Sequence, residues 1–391
     1  MKKVLLKVLV FALAAVLTLS CFASCGKSGG DELIIGLSGP LTGGAALYGV
    51  AVNNSVEMAV EEINAAGGLK NGVKLKAIML DDAHDKEKAA ANYASLVDQG
   101  MQVSLGCVTT APCLEFANYA KEDNVFFITP SATGDDVTKY DNAFQMCFSD
   151  SSQGTAAAKY VKEEVLSKGV KVGVLYLADD PYSKGIFDTF SAAFSSSELS
   201  QMTIQSFTSD SQSDLSPQAQ KFANDGCTFI FMPTYTEAAA NFLTAAKNVL
   251  DPKAVVYGCD GFDGIDNVEG FDIASVPQEV SYLSHFNSAS KEGLSGEFVR
   301  KYTEKYGIDT LSQFGAGAYD CVYALVDALN EEIDAGKTID GNTSASELCD
   351  LLKAKFSGGF TFTGVTGHDM TWNKDGRVNK DAVKYIVKAA D

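Results

Sequence analysis

Short apolar runs ended by Gly or Pro alternate along this chain with segments whose apolar residues recur every three to four positions. Residues 33–38 form the first run, closed by Gly39-Pro40. A helix is predicted over 46–65, with Val52, Val56, Ala59, Val60 and Ile63 as its buried stripe and Ala66-Gly67-Gly68 as its stop. Strands at 73–80, 103–106 and 125–129 follow, separated by helices at about 85–99 and 111–122. Strand–helix repeats with short connections restrict the fold to α/β, a doubly wound parallel sheet flanked by helices.

The pattern then begins again. Strands are predicted at 144–148, 170–177, 202–207, 228–232 and 255–258, with helices at 153–167, from about 182, at 218–224 and at 237–250. Helices at 291–306, 314–333 and 346–356 come next, and a strand at 383–387 closes the chain. With 391 residues and 46% apolar content, the chain can bury two cores. No low-complexity linker divides the two α/β units, so their connections are short and ordered, as in two lobes that close a cleft about a hinge.

One strand end stands out. Val125-Phe126-Phe127-Ile128-Thr129 runs into Pro130-Ser131-Ala132-Thr133-Gly134. Ligands of open α/β sheets bind at the carboxyl edge of the strands. There, Ser131, Ala132 and Thr133 offer backbone N–H groups and two hydroxyls with little bulk, the floor of a small-molecule site.

Charge narrows the partners. Lys plus Arg number 31 against 50 Asp plus Glu, a formal charge of −19. No basic stripe is available to neutralise phosphates, which argues against nucleic acid. Lys2, Lys3 and Lys7 precede an apolar run over 8–19, and small residues lead to Cys25. That order reads as a secretory leader over 1–24, too short for a permanent span, followed by a flexible tether over 25–30. Phe22-Ala23-Ser24-Cys25-Gly26 resembles a bacterial lipobox, with Cys25 as the lipidated residue and Cys21 as its rival. Seven cysteines remain, an odd count that points to buried free thiols; Cys107 and Cys113 alone are spaced for a local bridge. No cysteine–histidine cluster has metal-ligand spacing, so neither metal nor cofactor is expected.

Several further segments carry a family resemblance. Gly39-Pro40-Leu41 with Tyr48-Gly49, residues 63–72, Asp81-Asp82-Ala83 with Asp85, Ile128 to Thr133, and Trp372-Asn373-Lys374-Asp375-Gly376 occur in order behind the leader. In these the chain resembles the leucine/isoleucine/valine-binding proteins, the extracytoplasmic solute receptors of ABC importers. The resemblance implies a two-lobed Venus-flytrap (periplasmic-binding-protein) fold, each lobe a parallel sheet flanked by helices. It places crossings near Phe148, Tyr282 and Arg377, with lobe 1 as 31–147 plus 283–376 and lobe 2 as 148–282 plus 377–391. It also implies a monomer anchored outside the cell membrane by lipid on Cys25, with an amino acid as ligand and a membrane permease as partner.

A buried zwitterion needs a partner for each charged end. By the resemblance, Thr110 and Thr133 bind the carboxylate, and the Ser131 carbonyl and Asp260 bind the ammonium. Thr110 also suits a helix N-cap, and Asp260 before Gly261 also suits a turn. Asp260 stands where the family often has Glu. Tyr48 and Phe314 match wall positions of one lobe, Tyr182 and Tyr235 of the other, although aromatic residues equally serve as packing. Trp372 reads as structural. His84 and Thr109 occupy the positions of the disulfide pair in the best-known members; neither is Cys, and His84 is expected at the surface.

Two other functions compete with this reading. A sensory module for another small amide or acid would bring a membrane span and a signalling domain. An enzyme would need a nucleophile elbow, a phosphate loop or a metal cluster, and the chain shows none, while His84, His285 and His368 are scattered.

Overall fold

The structure, a computed structural model, describes residues 32–390. The leader, the tether, Cys21 and Cys25 lie outside the described residues. In the first sheet, β1 (Glu32–Gly39) leads to α1 (Ala46–Ala65), β2 (Lys74–Asp81), α2 (Lys86–Asp98) and β3 (Val103–Cys107). Then come α3 (Thr110–Glu122), β4 (Phe127–Thr129) and β5 (Ala143–Gln145). The strand order is β2-β1-β3-β4-β5, and every pairing is parallel.

The second sheet contains β6 (Val172–Leu177), β7 (Thr203–Phe207), β8 (Phe229–Met232), β9 (Val255–Gly258), β10 (Glu279–Ser284) and β11 (Val383–Lys388). Its helices are α4 (Asp150–Tyr160), α5 (Pro181–Ala192), α6 (Ser196–Leu199), α7 (Ser216–Asn224) and α8 (Thr236–Ala246). The order is β11-β10-β9-β8-β6-β7. Helices α9 (Gly293–Tyr306), α10 (Gln313–Asp334) and α11 (Ala345–Ser357) pack into the core of the first sheet.

The continuous apolar character of the strands follows from burial on both faces. Phe126 and Ile128 join the core shared with α1 and α10, whereas Phe127 between them joins Tyr93 and Phe116 on the other side. In the second sheet, Ile230 and Met232 face one core and Phe229 and Phe231 the other. Each such side chain contributes about 1.5–3 kcal/mol by leaving water. Helix α10 lies close on α1, where a Cβ on Gly315 would sit 2.7 Å from Ser55 Oγ and 3.0 Å from the Ala51 carbonyl.

Four details depart from the sequence reading, the first being that the strand expected at 144–148 to open the second unit is β5, paired parallel with β4 in the first sheet. Helix α4 starts at Asp150 rather than 153, because Ser149 caps it reciprocally with Ser152. Strand β10 was not foreseen; its alternation sends Val280 and Tyr282 to one core and Leu283 to the other. Strand β11 pairs antiparallel with β10, so the second sheet is mixed rather than wholly parallel.

The chain passes between the sheets after Gln145, after Ser284, and between Arg377 and Val383. These passages are tied together. Lys380 Nζ donates to the Met146 carbonyl and to Thr366 Oγ1, whose hydroxyl bonds Asp320. Burial pulls the Lys380 ammonium down to about 8, with the Asp320 carboxylate opposing. The buried His285 ring meets Phe148 edge-on at 4.9 Å. Trp372 packs on Phe356 and donates from Nε1 to the Gln145 carbonyl at 2.8 Å, a structural role.

Candidate functional site

Strand order reverses between β1 and β3 in the first sheet and between β6 and β8 in the second, and ligand crevices form at such points. The residues just past these strands line one cavity: Val108, Thr109 and Thr110 after β3, Ser131 and Thr133 after β4, and Tyr48 on α1. Phe314 completes this wall from α10. Across from it stand Tyr182 after β6, Tyr235 after β8, and Asp260 with Gly261 after β9. The cavity measures about 10 Å³, the space of a single water, so admitting an amino acid requires the walls to part.

The first wall is built from backbone and hydroxyls. Thr129 Oγ1 donates to the Cys107 carbonyl at 2.8 Å and accepts from the Ala132 N–H at 3.0 Å, folding the chain back after β4. Ser131 Oγ donates to the Val108 carbonyl at 2.7 Å. The Gly134 N–H donates to Thr110 Oγ1 at 3.2 Å, which leaves that hydroxyl proton available to a ligand. Thr110 is the first residue of α3, so its N–H is one of the helix's unsatisfied donors. The N-cap reading of Thr110 falls, because the cap position belongs to Thr109.

The second wall buries charge. Asp260 Oδ1 accepts from the Tyr182 hydroxyl at 2.7 Å, and the Asp260 N–H donates to Gln153 Oε1 at 3.0 Å. Burial pushes its carboxyl up to about 6, against the hydrogen bonds from Tyr182 and Gln153. The Gly261 N–H also donates to the Tyr182 hydroxyl, at 2.9 Å. A Cβ on Gly261 would lie 2.6 Å from the Thr234 carbonyl, so only glycine fits this approach. Asp150, whose N–H donates to the Thr133 carbonyl at 2.8 Å, is buried with Oδ1 unpartnered, and desolvation raises its carboxyl well above the ordinary range.

The walls touch directly. Tyr48 donates to the Gly261 carbonyl at 2.7 Å and accepts from the Thr236 N–H at 2.8 Å. The Gln313 N–H donates to Asp263 at 2.8 Å. His84 is half-buried rather than free at the surface: its Nδ1 lies 2.8 Å from Thr109 Oγ1, and its ring meets Tyr235 edge-on at 5.2 Å. The two positions identified with a disulfide pair are therefore joined here by a hydrogen bond. Burial holds the His84 imidazole below its ordinary value, with Asp85 opposing.

Of the residues singled out by sequence, Tyr48, Thr110, Ser131, Thr133, Tyr182, Tyr235, Asp260 and Phe314 line the cavity. Ala132 does not. It is fully buried, its carbonyl accepting from Gln145 Nε2 at 2.7 Å, and it shapes the loop instead. Val108, Thr109 and Gly261 were missed, although each adjoins a residue that was named. Gln153 gave no signal in the sequence. Cys107 and Cys113 are both free thiols. Among the described residues, no group of three or more His, Cys, Asp and Glu could hold a metal ion, and no helix is long and apolar enough to cross a membrane.

A family model described as periplasmic binding protein matches residues 32–390. A relative named Leu/Ile/Val-binding protein homolog 3, from Brucella melitensis, is 28% identical over 82% of this chain and 83% of its own length. The branched-chain amino acid transporter substrate-binding protein LivJ from Streptococcus pneumoniae, solved in complex with isoleucine, superposes with a TM-score of 0.76. It is 25% identical, over 92% of this chain and 96% of that one. A solute-binding protein of an ABC transporter from Rhodopseudomonas palustris, solved with 3,4-dihydroxybenzoic acid, has a TM-score of 0.73 at 19% identity, over 92% and 94% of the two chains. That likeness concerns the fold alone.

Proposed function

Because the chain belongs to the periplasmic binding protein family, we propose that it captures a free amino acid in this cleft and delivers it to an ABC permease. The observation that carries the reading is the opposition of two unlike ends across one cavity. Thr110 and Thr133 present hydroxyls and a helix N-terminus on one side, and Asp260 a buried carboxylate on the other. A zwitterion matches both: its carboxylate meets the hydroxyls and the helix dipole, its ammonium meets Asp260 and the Ser131 carbonyl.

Of the lobes read from the sequence, 31–147 plus 283–376 and 148–282 plus 377–391, the middle boundary moves past Ser284 in this reading, because β10 runs Glu279–Ser284 within the second sheet. Ligand contacts both only when they close, so binding stabilises the closed state, the form offered to the permease. A branched-chain-like amino acid is the starting expectation, supported by the names of the relatives. A purely anionic ligand such as an aromatic acid fits poorly, because nothing would compensate Asp260. Lipid on Cys25 would tether the receptor to the membrane; Cys25→Ser should release it into the medium, and retention would refute that anchor.

A thermal-shift screen of the free amino acids, with urea, short amides and aromatic acids alongside, tests the reading. At least one amino acid should raise the melting temperature. Stabilisation by amides or aromatic acids alone would reject it.

A further inference from the structure

Three tyrosines line the cavity, and their hydroxyls are not equivalent. Tyr48 bonds Gly261 and Thr236, and Tyr182 bonds Asp260 and Gly261. The Tyr235 hydroxyl is buried and has no partner. Its ring cannot readily swing away to find one. It stacks on Tyr182 at 4.7 Å, lies 5.8 Å from Tyr48, and takes the His84 edge at 5.2 Å. Burying a hydroxyl without a hydrogen bond is unfavourable, because the contacts it made with water are not replaced. An aliphatic ligand side chain would leave that cost in place, and a hydroxylated one would relieve it.

We infer that Tyr235 makes this pocket select short hydroxylated amino acids, of the threonine or serine type, over aliphatic ones of the same shape. The inference rests on the amino-acid reading of the site. The ammonium and the carboxylate are already served by Asp260, Thr110 and Thr133, so the spare hydroxyl falls to the ligand side chain. Val108 and Phe314 close the same cavity with apolar surface, which suits the methyl group of threonine. Threonine and valine share a shape and differ by a hydroxyl in place of a methyl, so comparing them isolates this contact from size.

The test is calorimetric titration of the mature protein and of Tyr235→Phe with threonine and with valine. Thermal melts would confirm that Tyr235→Phe, which keeps the ring, retains the fold. The wild type should bind threonine about tenfold more tightly than valine, the factor for one well-made hydrogen bond. Tyr235→Phe should erase that preference by weakening threonine alone. Valine binding as tightly as threonine to the wild type would overturn the inference. So would equal weakening of both ligands by Tyr235→Phe, since the hydroxyl would then hold a group they share. Either result leaves amino-acid binding intact; binding of no amino acid at all would instead remove the function on which the inference stands.

Discussion

The two walls of the cleft solve opposite problems. The first is neutral, and its Ser131, Thr129 and Thr110 hydroxyls are spent on or shared with the loops that shape it. The second holds Asp260 with Asp180 and Asp150 nearby, all buried and all raised by desolvation, Asp260 and Asp180 to about 6. One wall is therefore complete before a ligand arrives, and the other stores unfavourable charge that a cation would relieve. The difference teaches where affinity should reside: in the ammonium contact, with the carboxylate contact adding to it.

The largest expected effect follows from that. Asp260→Asn should weaken amino-acid binding by about a hundredfold or more, since truncating one partner of a buried charge pair costs about 2–5 kcal/mol. Thr110→Val, on the neutral wall, should cost about tenfold in the same titration, because one hydrogen bond is lost. If Thr110→Val proves the costlier change, the comparison between the walls is broken.

The pH dependence sharpens it. The folded Asp260 carboxyl titrates at about 6, against about 3.9 unfolded. The folded state thus binds the proton more tightly, and between those values stability rises as pH falls. Above about 6 the wild type carries the buried charge in full, so Asp260→Asn should melt higher at pH 7.5, by a margin that shrinks toward pH 4. Ligand affinity should run the other way, falling below pH 6 as the carboxylate is neutralised. Coincident pH profiles for the two variants would remove Asp260 from the account.

The smallest effect belongs to His84. It steadies Thr109 on the first wall and touches Tyr235 on the second without reaching the cavity. His84→Ala should weaken binding only a fewfold, because the hydrogen bond it removes shapes the wall without touching the ligand. A loss as large as that of Asp260→Asn would show that the walls are held by this contact rather than by the ligand.

The first wall was largely legible in the sequence, because its parts are local. Thr110 and Ser131 to Thr133 each follow a strand, and position at a strand's carboxyl end is written in the order of residues. What escaped was set by tertiary packing. Ala132 points inward because Gln145, from the next strand, claims its carbonyl. His84 is held half-buried by Thr109 and by a ring from the other wall. Strand β10 was hidden because the resemblance placed a crossing at Tyr282, and its antiparallel partner β11 lies about a hundred residues further along the chain.

The central claim is that Asp260 recognises the ligand's ammonium. Its most direct test is a calorimetric cycle at pH 7.5, titrating wild type and Asp260→Asn with valine and with 3-methylbutanoate, its counterpart lacking the ammonium. The wild type should prefer valine by about a hundredfold or more, and Asp260→Asn should lose most of that preference. A preference for valine that survives intact in Asp260→Asn would contradict the account.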